Sequence, residues 1–179
     1  MGRALARTAV SSLALGVLSA FGDWIWARYI PDGAVLPGVI HGVVIFAALA
    51  VILGWASGRP GAIGRLLTTL PLAGLAIAAL FYPLTGAMGY LPALLVTWIL
   101  MWWTLAWLDR WARAGSEGSG VVVLRAAVAA VGSGLAFWSI SGIWTDPSAA
   151  STNLIWRTVL WTWAFLPGFL ALILGHRQD

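Results

Sequence analysis

Residues 43–53 read VVIFAALAVIL, an apolar run without a charge, a proline or a glycine. The run lies within a longer apolar segment, residues 35–55, which reaches the roughly 20 residues that a helix needs to cross about 30 Å of hydrocarbon. A transmembrane β-barrel strand would alternate apolar and polar residues over about ten positions, and the unbroken run excludes that pattern. Because every backbone amide in hydrocarbon must be paired internally, the segment predicts a membrane-spanning α-helix.

Five further apolar segments of similar length flank this one on both sides. Short connections rich in glycine and proline join them, which is typical of turns between antiparallel neighbours rather than of linkers between domains. The predicted fold class is all-α: a polytopic membrane protein, a six-transmembrane-helix bundle in one domain (residues 1–179), with no evident internal repeat. The predicted spans are residues 6–27, 35–55, 64–84, 91–108, 120–142 and 154–174.

Arginine is concentrated on alternate connections. The N-terminus, the second and fourth connections and the C-terminal tail carry it, in the form of Arg3, Arg7, Arg59, Arg65, Arg110, Arg113 and Arg177. Basic residues favour the cytoplasmic side of a membrane, so we expect both termini in the cytoplasm. That arrangement requires an even number of crossings, which agrees with the six spans.

Composition narrows the function further. With 61% hydrophobic and 9% charged residues there is no room for a soluble domain, and the arginines that give the net charge of +4 stand singly at helix ends, so no nucleic-acid partner is expected. The absence of cysteine excludes disulfide and thiolate chemistry, and two histidines are too few for a metal site, so we expect no cofactor. Ten basic residues that are all arginine indicate a bacterial source and its cytoplasmic membrane.

Three ionisable residues fall within spans on the side away from the termini. Asp23, His41 and Arg157 come from the first, second and last spans, and the topology places them in the outer leaflet. An ionisable group in a membrane costs roughly 3 kcal/mol at mid-depth, so each is a candidate functional residue. We expect an ion pair between Asp23 and Arg157, with His41 hydrogen-bonded to Ser139 or Ser141. Simple packing of the histidine and snorkelling of the arginine to the surface are the alternatives.

Other features predict packing. Asp109 is placed one turn from Arg113, where a helical ion pair is expected, and Arg125 is expected to snorkel to the membrane surface. Prolines within spans, which remove a helix hydrogen bond, predict kinks at Pro71, Pro83 and Pro167. Small residues at intervals of four on span five predict close helix approach, within the chain or between subunits, at Ala126, Ala130 and Gly134.

Thirteen tryptophans are many for 179 residues. Those near span ends fit an interfacial belt, namely Trp24, Trp26, Trp111, Trp144 and Trp156. The deeper ones are Trp98, Trp102, Trp103, Trp107, Trp138, Trp161 and Trp163. Rigid rings at depth either wall a cavity for a lipid tail or a fused ring system, or fill a core. If they wall a cavity, the expected ligand-binding residues are Asp23, His41, Trp102, Trp103, Trp138, Arg157 and Trp161.

Two other functions are open. An intramembrane hydrolase would use Ser139 or Ser141 with His41, which are the residue types of serine-histidine hydrolysis. A small transporter of lipids or other hydrophobic molecules would act as an oligomer and needs polar groups near the midplane, where this chain has few. The small number of catalytic side chains favours a non-catalytic protein.

The last three spans resemble the Insig (insulin-induced gene protein) family, whose members also have six crossings with both termini cytosolic. In that family a tryptophan pair and a threonine precede Asp-Arg and a glycine-containing turn, a Gly-aromatic-Thr-Pro turn follows span five, and span six opens with Arg-Ser, contains Leu-Pro and ends in Gly-Arg-Gln. The corresponding residues here are Trp102-Trp103-Thr104, Asp109-Arg110, Gly115, residues 142–147, Arg157-Thr158, Leu166-Pro167 and residues 175–178.

The resemblance implies a prokaryotic homologue that is not an enzyme. It would bind a sterol-like or other hydroxylated lipid, contact partner membrane proteins and form a homo-oligomer. The positions that carry over are Trp102, Trp103, Asp109 and Arg110, the last two as partner contacts. Because a bacterium lacks the family's sterol-sensing partners, an ordinary membrane lipid such as diacylglycerol is the expected ligand.

Overall fold

The computed structural model describes residues 2–30, 35–56, 60–112, 118–141 and 153–174. Within those ranges the chain forms six α-helices and no strand. The helices are α1 (Gly2–Tyr29), α2 (Val35–Ala56), α3 (Pro60–Met88), α4 (Tyr90–Ala112), α5 (Ser119–Ser139) and α6 (Leu154–Leu174). Each is long and apolar enough to cross a membrane, so the predicted six-span all-α membrane fold is confirmed. Arg59, Arg113, Gly115, Trp144, Arg177 and the turn segments 142–147 and 175–178 lie outside the described ranges.

Several helices differ in length from the predicted spans. Helix α3 extends beyond the predicted span 64–84 at both ends, and it contains Pro71 and Pro83 as α6 contains Pro167. Helix α5 is shorter: the Ile140 amide donates to the Phe137 carbonyl at 3.1 Å, a tightened last turn that ends the helix before the predicted boundary at 142. Gly89 alone joins α3 to α4, and its φ of +86° is a conformation that favours glycine.

The helices form a ring in chain order. Each packs against the next, and α6 packs against α1; the α2–α3 and α1–α6 interfaces are the most extensive and α1–α2 is the loosest. Glycine allows the closest approaches: a Cβ atom at Gly16 would lie 2.3 Å from the Thr162 hydroxyl, and one at Gly74 would lie 2.7 Å from Phe46. We call the end of the ring where α1 begins and α6 ends the terminal end, and the opposite end the distal end.

The small-residue face of α5 packs within the chain. Ala126 and Ala130 are buried, and a Cβ atom at Gly134 would lie 3.7 Å from Leu95 of α4. Packing within the chain, the first of the two expected roles, is therefore confirmed for this face. The outer surface of the ring is apolar instead, with Ile155 as much as 78% exposed, which suits contact with lipid tails rather than with water.

Fully buried side chains are unevenly distributed along the ring. In α1 none follows Ala20, in α2 none precedes Ile45, and in α3 none follows Gly74. Helices α5 and α6, in contrast, keep buried residues up to Ile140 and from Arg157 onwards. The distal ends of the first three helices are thus packed less densely than the rest, which leaves the polar residues of that region partly accessible.

Candidate polar binding site

The predicted ion pair between α1 and α6 is present. Arg157 Nη1 donates to Asp23 Oδ2 at 2.9 Å, and Trp161, one turn further along α6, donates its indole N–H to the same oxygen at 2.7 Å. The side chains of Asp23 and Arg157 are 18% and 5% exposed. Two charge-assisted bonds to one oxygen fix the carboxylate against α6. Trp161 as a third member was not predicted, because an indole N–H partner has no signature in a chain so rich in tryptophan.

The second carboxylate oxygen of this group remains open. Asp23 Oδ1 accepts no hydrogen bond from any residue within the described ranges, and the side chain is partly exposed. An ionised carboxylate can accept about four hydrogen bonds, and only two are made here. The arrangement therefore offers a fixed, negatively charged acceptor to a donor that enters from outside the chain.

His41 of α2 contacts α1 at the residue that precedes Asp23. Its imidazole packs against Gly22, where a Cβ atom would lie 2.4 Å from His41 Cε1. Its helix, α2, has α1 and α3 as ring neighbours. Ser139 instead donates to the Ala136 carbonyl at 2.6 Å and accepts from the Trp163 indole at 3.2 Å. The structure thus places His41 against Gly22, the residue before Asp23 in the sequence, and places Ser139 against Ala136 and Trp163.

Three of the seven deep tryptophans belong to a packed group that we call the aromatic cluster. Its members are Trp98, Trp102, Phe137, Trp161, Phe165 and Phe169. Trp98 and Phe137 stack with centroids 4.4 Å apart, and the Trp98 and Phe165 centroids are 4.9 Å apart. Of the two roles expected for deep tryptophans, filling a core describes Trp98, Trp102 and Trp161.

Trp102 is the most deeply buried tryptophan of the aromatic cluster. It is completely buried and lies on Gly168, and its indole N–H has no hydrogen-bond partner within the described ranges. Trp103 and Trp138 are 38% and 51% exposed and face outwards. The tryptophans expected to enclose a ligand together therefore divide between the core and the outer surface.

An apolar groove lies on the outer surface between α4 and α5. It encloses about 360 Å³ and is lined by Leu95, Ile99, Ala130, Val131, Gly134, Leu135 and Trp138. Its lining offers no polar atom, so nothing there could orient a head group. Of the residues expected to bind ligand, only Trp138 contributes to it.

A second buried ion pair lies towards the terminal end. Arg125 of α5 is 3.7 Å from Asp109 of α4 and donates a hydrogen bond to the Leu172 carbonyl of α6. Both side chains are buried, so the expectation that Arg125 snorkels is wrong: a carboxylate and a helix-end carbonyl hold it inside. The predicted partner Arg113 lies outside the described ranges.

Asp109 and Arg110, the two expected partner contacts, differ in their exposure. The Asp109 carboxylate is enclosed in the bundle, at 2% exposure, and does not face a surface. Arg110 is partly exposed, lies over the Trp107 ring at 5.5 Å and donates to the Ser119 hydroxyl at 3.1 Å. Of the two, only Arg110 is placed where a partner protein could reach it.

A buried serine, missed at the sequence level, links three helices. Ser133 of α5 accepts the Trp98 indole N–H at 2.9 Å and donates to the Ala164 carbonyl at 2.5 Å. Within the described ranges no three His, Cys, Asp or Glu side chains are grouped as a metal site would require. Within the part of the chain that the structure describes, several polar groups of the interior thus join helices to one another, and Asp23 keeps one carboxylate oxygen that accepts no hydrogen bond.

The class defined by fold and site is a six-helix membrane bundle with a partly accessible ionic site in its distal half. No known protein family, curated protein or solved structure matches the chain.

Proposed function

We propose that the chain is a non-catalytic, Insig-like integral membrane protein, of the bacterial cytoplasmic membrane, which binds a hydroxylated lipid at Asp23. The observation that carries the proposal is the open Oδ1 acceptor of a carboxylate whose other oxygen is held by Arg157 and Trp161. A ligand that completes this site must donate a hydrogen bond. The rest of the ligand must be apolar, because the surrounding helix surfaces consist mainly of apolar side chains.

A diacylglycerol-like or sterol-like alcohol meets both requirements. Its single hydroxyl donates to Asp23, while its apolar part lies along the loosely packed distal ends of α1–α3, beside His41. A hydrogen bond to a charged group contributes about 1.5–3 kcal/mol. Removing the donor from such a lipid should therefore weaken binding by roughly 10- to 100-fold, since about 1.4 kcal/mol corresponds to one factor of ten.

The proposal leaves the aromatic cluster a structural role. It also treats the protein as non-catalytic, which agrees with the placement of two residues expected for hydrolysis: Ser139 contacts Trp163, whereas His41 contacts Gly22. By the same resemblance the protein forms a homo-oligomer and contacts a partner membrane protein, for which Arg110 is the accessible candidate.

Native mass spectrometry of the detergent-solubilised protein tests the proposal. The two probes are a 1,2-diacylglycerol and the same lipid with its hydroxyl methylated, added at equal concentration. We expect binding of the alcohol at least tenfold tighter than that of the ether, and loss of this preference in Asp23→Asn but not in the matched variant Ser139→Ala. Equal binding of the two lipids would refute a hydroxyl-binding site, and so would an unchanged preference in Asp23→Asn.

A further inference from the structure

Three arginines stabilise the ends of three helices in the same way. Each lies about six residues into an odd-numbered helix and donates to a main-chain carbonyl in the last turn of the even-numbered helix that follows. The three bonds join Arg7 to Ala56 at 3.0 Å, Arg65 to Ala112 at 3.3 Å, and Arg125 to Leu172. The last carbonyls of a helix lack intrahelical partners and carry partial negative charge, so a cation there is favourable. Helical hairpins α1–α2, α3–α4 and α5–α6 are thus closed by the same device.

A glycine follows each of these arginines at the same interval. Gly16, Gly74 and Gly134 are nine residues beyond the arginine, and each is followed by valine or leucine. Every one packs on the even-numbered helix of the preceding hairpin: the first on Thr162 of α6, the second on Phe46 of α2, the third on α4. The arginines therefore act within hairpins, and the glycines act between them.

The spacing along the chain is equally regular. The donor and the acceptor of the three arginine bonds are 49, 47 and 47 residues apart. Successive arginines are separated by 58 and 60 residues. Two of the even-numbered helices also begin alike, with Leu36-Pro37 in α2 and Leu91-Pro92 in α4.

We infer that the chain consists of three copies of one helical hairpin closed into a pseudo-threefold ring, and that one of the three corresponding interfaces is specialised as the ionic site. Three contacts support the closure: the glycine of the first hairpin packs on the third, that of the second on the first, and that of the third on the second. Each hairpin thus contacts the preceding hairpin with one face and the following hairpin with another, and these contacts close the ring.

The correspondence identifies the equivalents of Asp23 and Arg157. Asp23 stands sixteen residues after its arginine, a position taken by Phe81 in the second hairpin and by Ser141 in the third. Arg157 stands fifteen residues before its capped carbonyl, a position taken by His41 in the first hairpin and by Thr97 in the second. The interface between the third and first hairpins has opposite charges, whereas the interface between the first and second has Phe81 and His41 at the same places.

Transplanting the ion pair tests the correspondence. All variants carry Asp23→Asn, so that a new arginine at 41 cannot pair with the native carboxylate. Phe81→Asp alone should lower the midpoint of unfolding and the yield of monodisperse protein, because it puts a lone carboxylate into a membrane span. Adding His41→Arg should recover at least half of the decrease in the unfolding midpoint. Where Phe81→Asp alone gives no folded protein, adding His41→Arg should give folded protein again.

The matched control moves the acid by one turn. Ile77→Asp on the same background also puts a carboxylate into α3, but not at the corresponding position. Adding His41→Arg should therefore not reverse the decrease in unfolding midpoint and yield that Ile77→Asp causes. The inference is overturned if His41→Arg fails to rescue Phe81→Asp, or if it rescues Ile77→Asp equally well. The readouts involve no lipid, so their outcome is independent of whether Asp23 binds one.

Discussion

Replacing Gly168 with alanine tests whether the aromatic cluster is a filled core or the wall of a cavity. A Cβ atom there would lie 2.3 Å from both Cη2 and Cζ2 of Trp102 and 2.5 Å from Cε2. Carbon atoms in favourable contact stay about 3.5–4.0 Å apart, so the ring would have to move by more than about 1 Å. The Phe169 ring, whose centroid is 5.4 Å from that of Trp102, and the Phe165 ring, at 6.4 Å, confine it.

The expected cost follows from that confinement. Forcing an extra carbon into a well-packed core costs about 1–3 kcal/mol, while replacing a helical glycine with alanine returns about 0.5–1 kcal/mol. We therefore expect Gly168→Ala to lower the free energy of unfolding by roughly 0–2.5 kcal/mol, centred near 1 kcal/mol. Chemical unfolding in detergent micelles, followed by tryptophan fluorescence, measures it. The matched control is Gly64→Ala in α3, where a Cβ atom meets no other group within 4 Å and the stability should stay equal or rise.

A result in which Gly168→Ala is as stable as Gly64→Ala would refute the filled core. It would mean that Trp102 has space to move into, and a ligand cavity walled by the cluster would again describe the tryptophans better. Loss of stability only in Gly168→Ala would support a filled core around Trp102.

Three further outcomes follow from the geometry. Ser133→Ala should lower the free energy of unfolding by about 1–3 kcal/mol because it leaves a buried indole N–H unsatisfied, whereas Ser139→Ala should stay within about 0.5 kcal/mol; chemical unfolding of both variants decides it. Arg125→Met should cost about 1.5–3 kcal/mol because it removes a charged donor from the Leu172 carbonyl, and an unchanged stability in the same assay would contradict this. The native chain has no cysteine, so single cysteines can map topology: one at Gly2 should resist an impermeant maleimide added to intact cells and one at Tyr29 should react, and the reverse would invert the orientation.

The helices and the ion pair were predictable because hydrocarbon imposes simple rules. A span must be long and apolar, and a charge within it must find a partner. Asp23 and Arg157 lie at similar depth in two spans. Because an unpaired charge in hydrocarbon is unfavourable, the two were expected to pair, and the structure confirms the ion pair. Helix ends were less predictable, since α3 extends to Met88, beyond the predicted end at 84, whereas α5 stops before 142.

The predictions that were wrong or left open concern which face of a helix a residue occupies. Arg125 has the depth of a snorkelling residue, but it shares the buried face of Ala126 and Ala129, and hydropathy does not report that face. Trp102 likewise could have faced a cavity or a core. The repeat escaped notice because it is carried by two anchor residues per hairpin, an arginine and a glycine, within apolar segments that otherwise share little identity.

Stability does not account for the charges at Asp23 and Arg157. Replacing a buried ion pair with neutral groups of similar size is often neutral or stabilising, because desolvation offsets the attraction, and the corresponding interface between the first two hairpins closes without one. Asp23→Asn combined with Arg157→Met should thus keep the free energy of unfolding within about 1 kcal/mol, since the amide oxygen can still accept from Trp161. The same variant should lose its preference for the alcohol over the methyl ether. A large loss of stability would instead make the pair a structural clamp between α1 and α6.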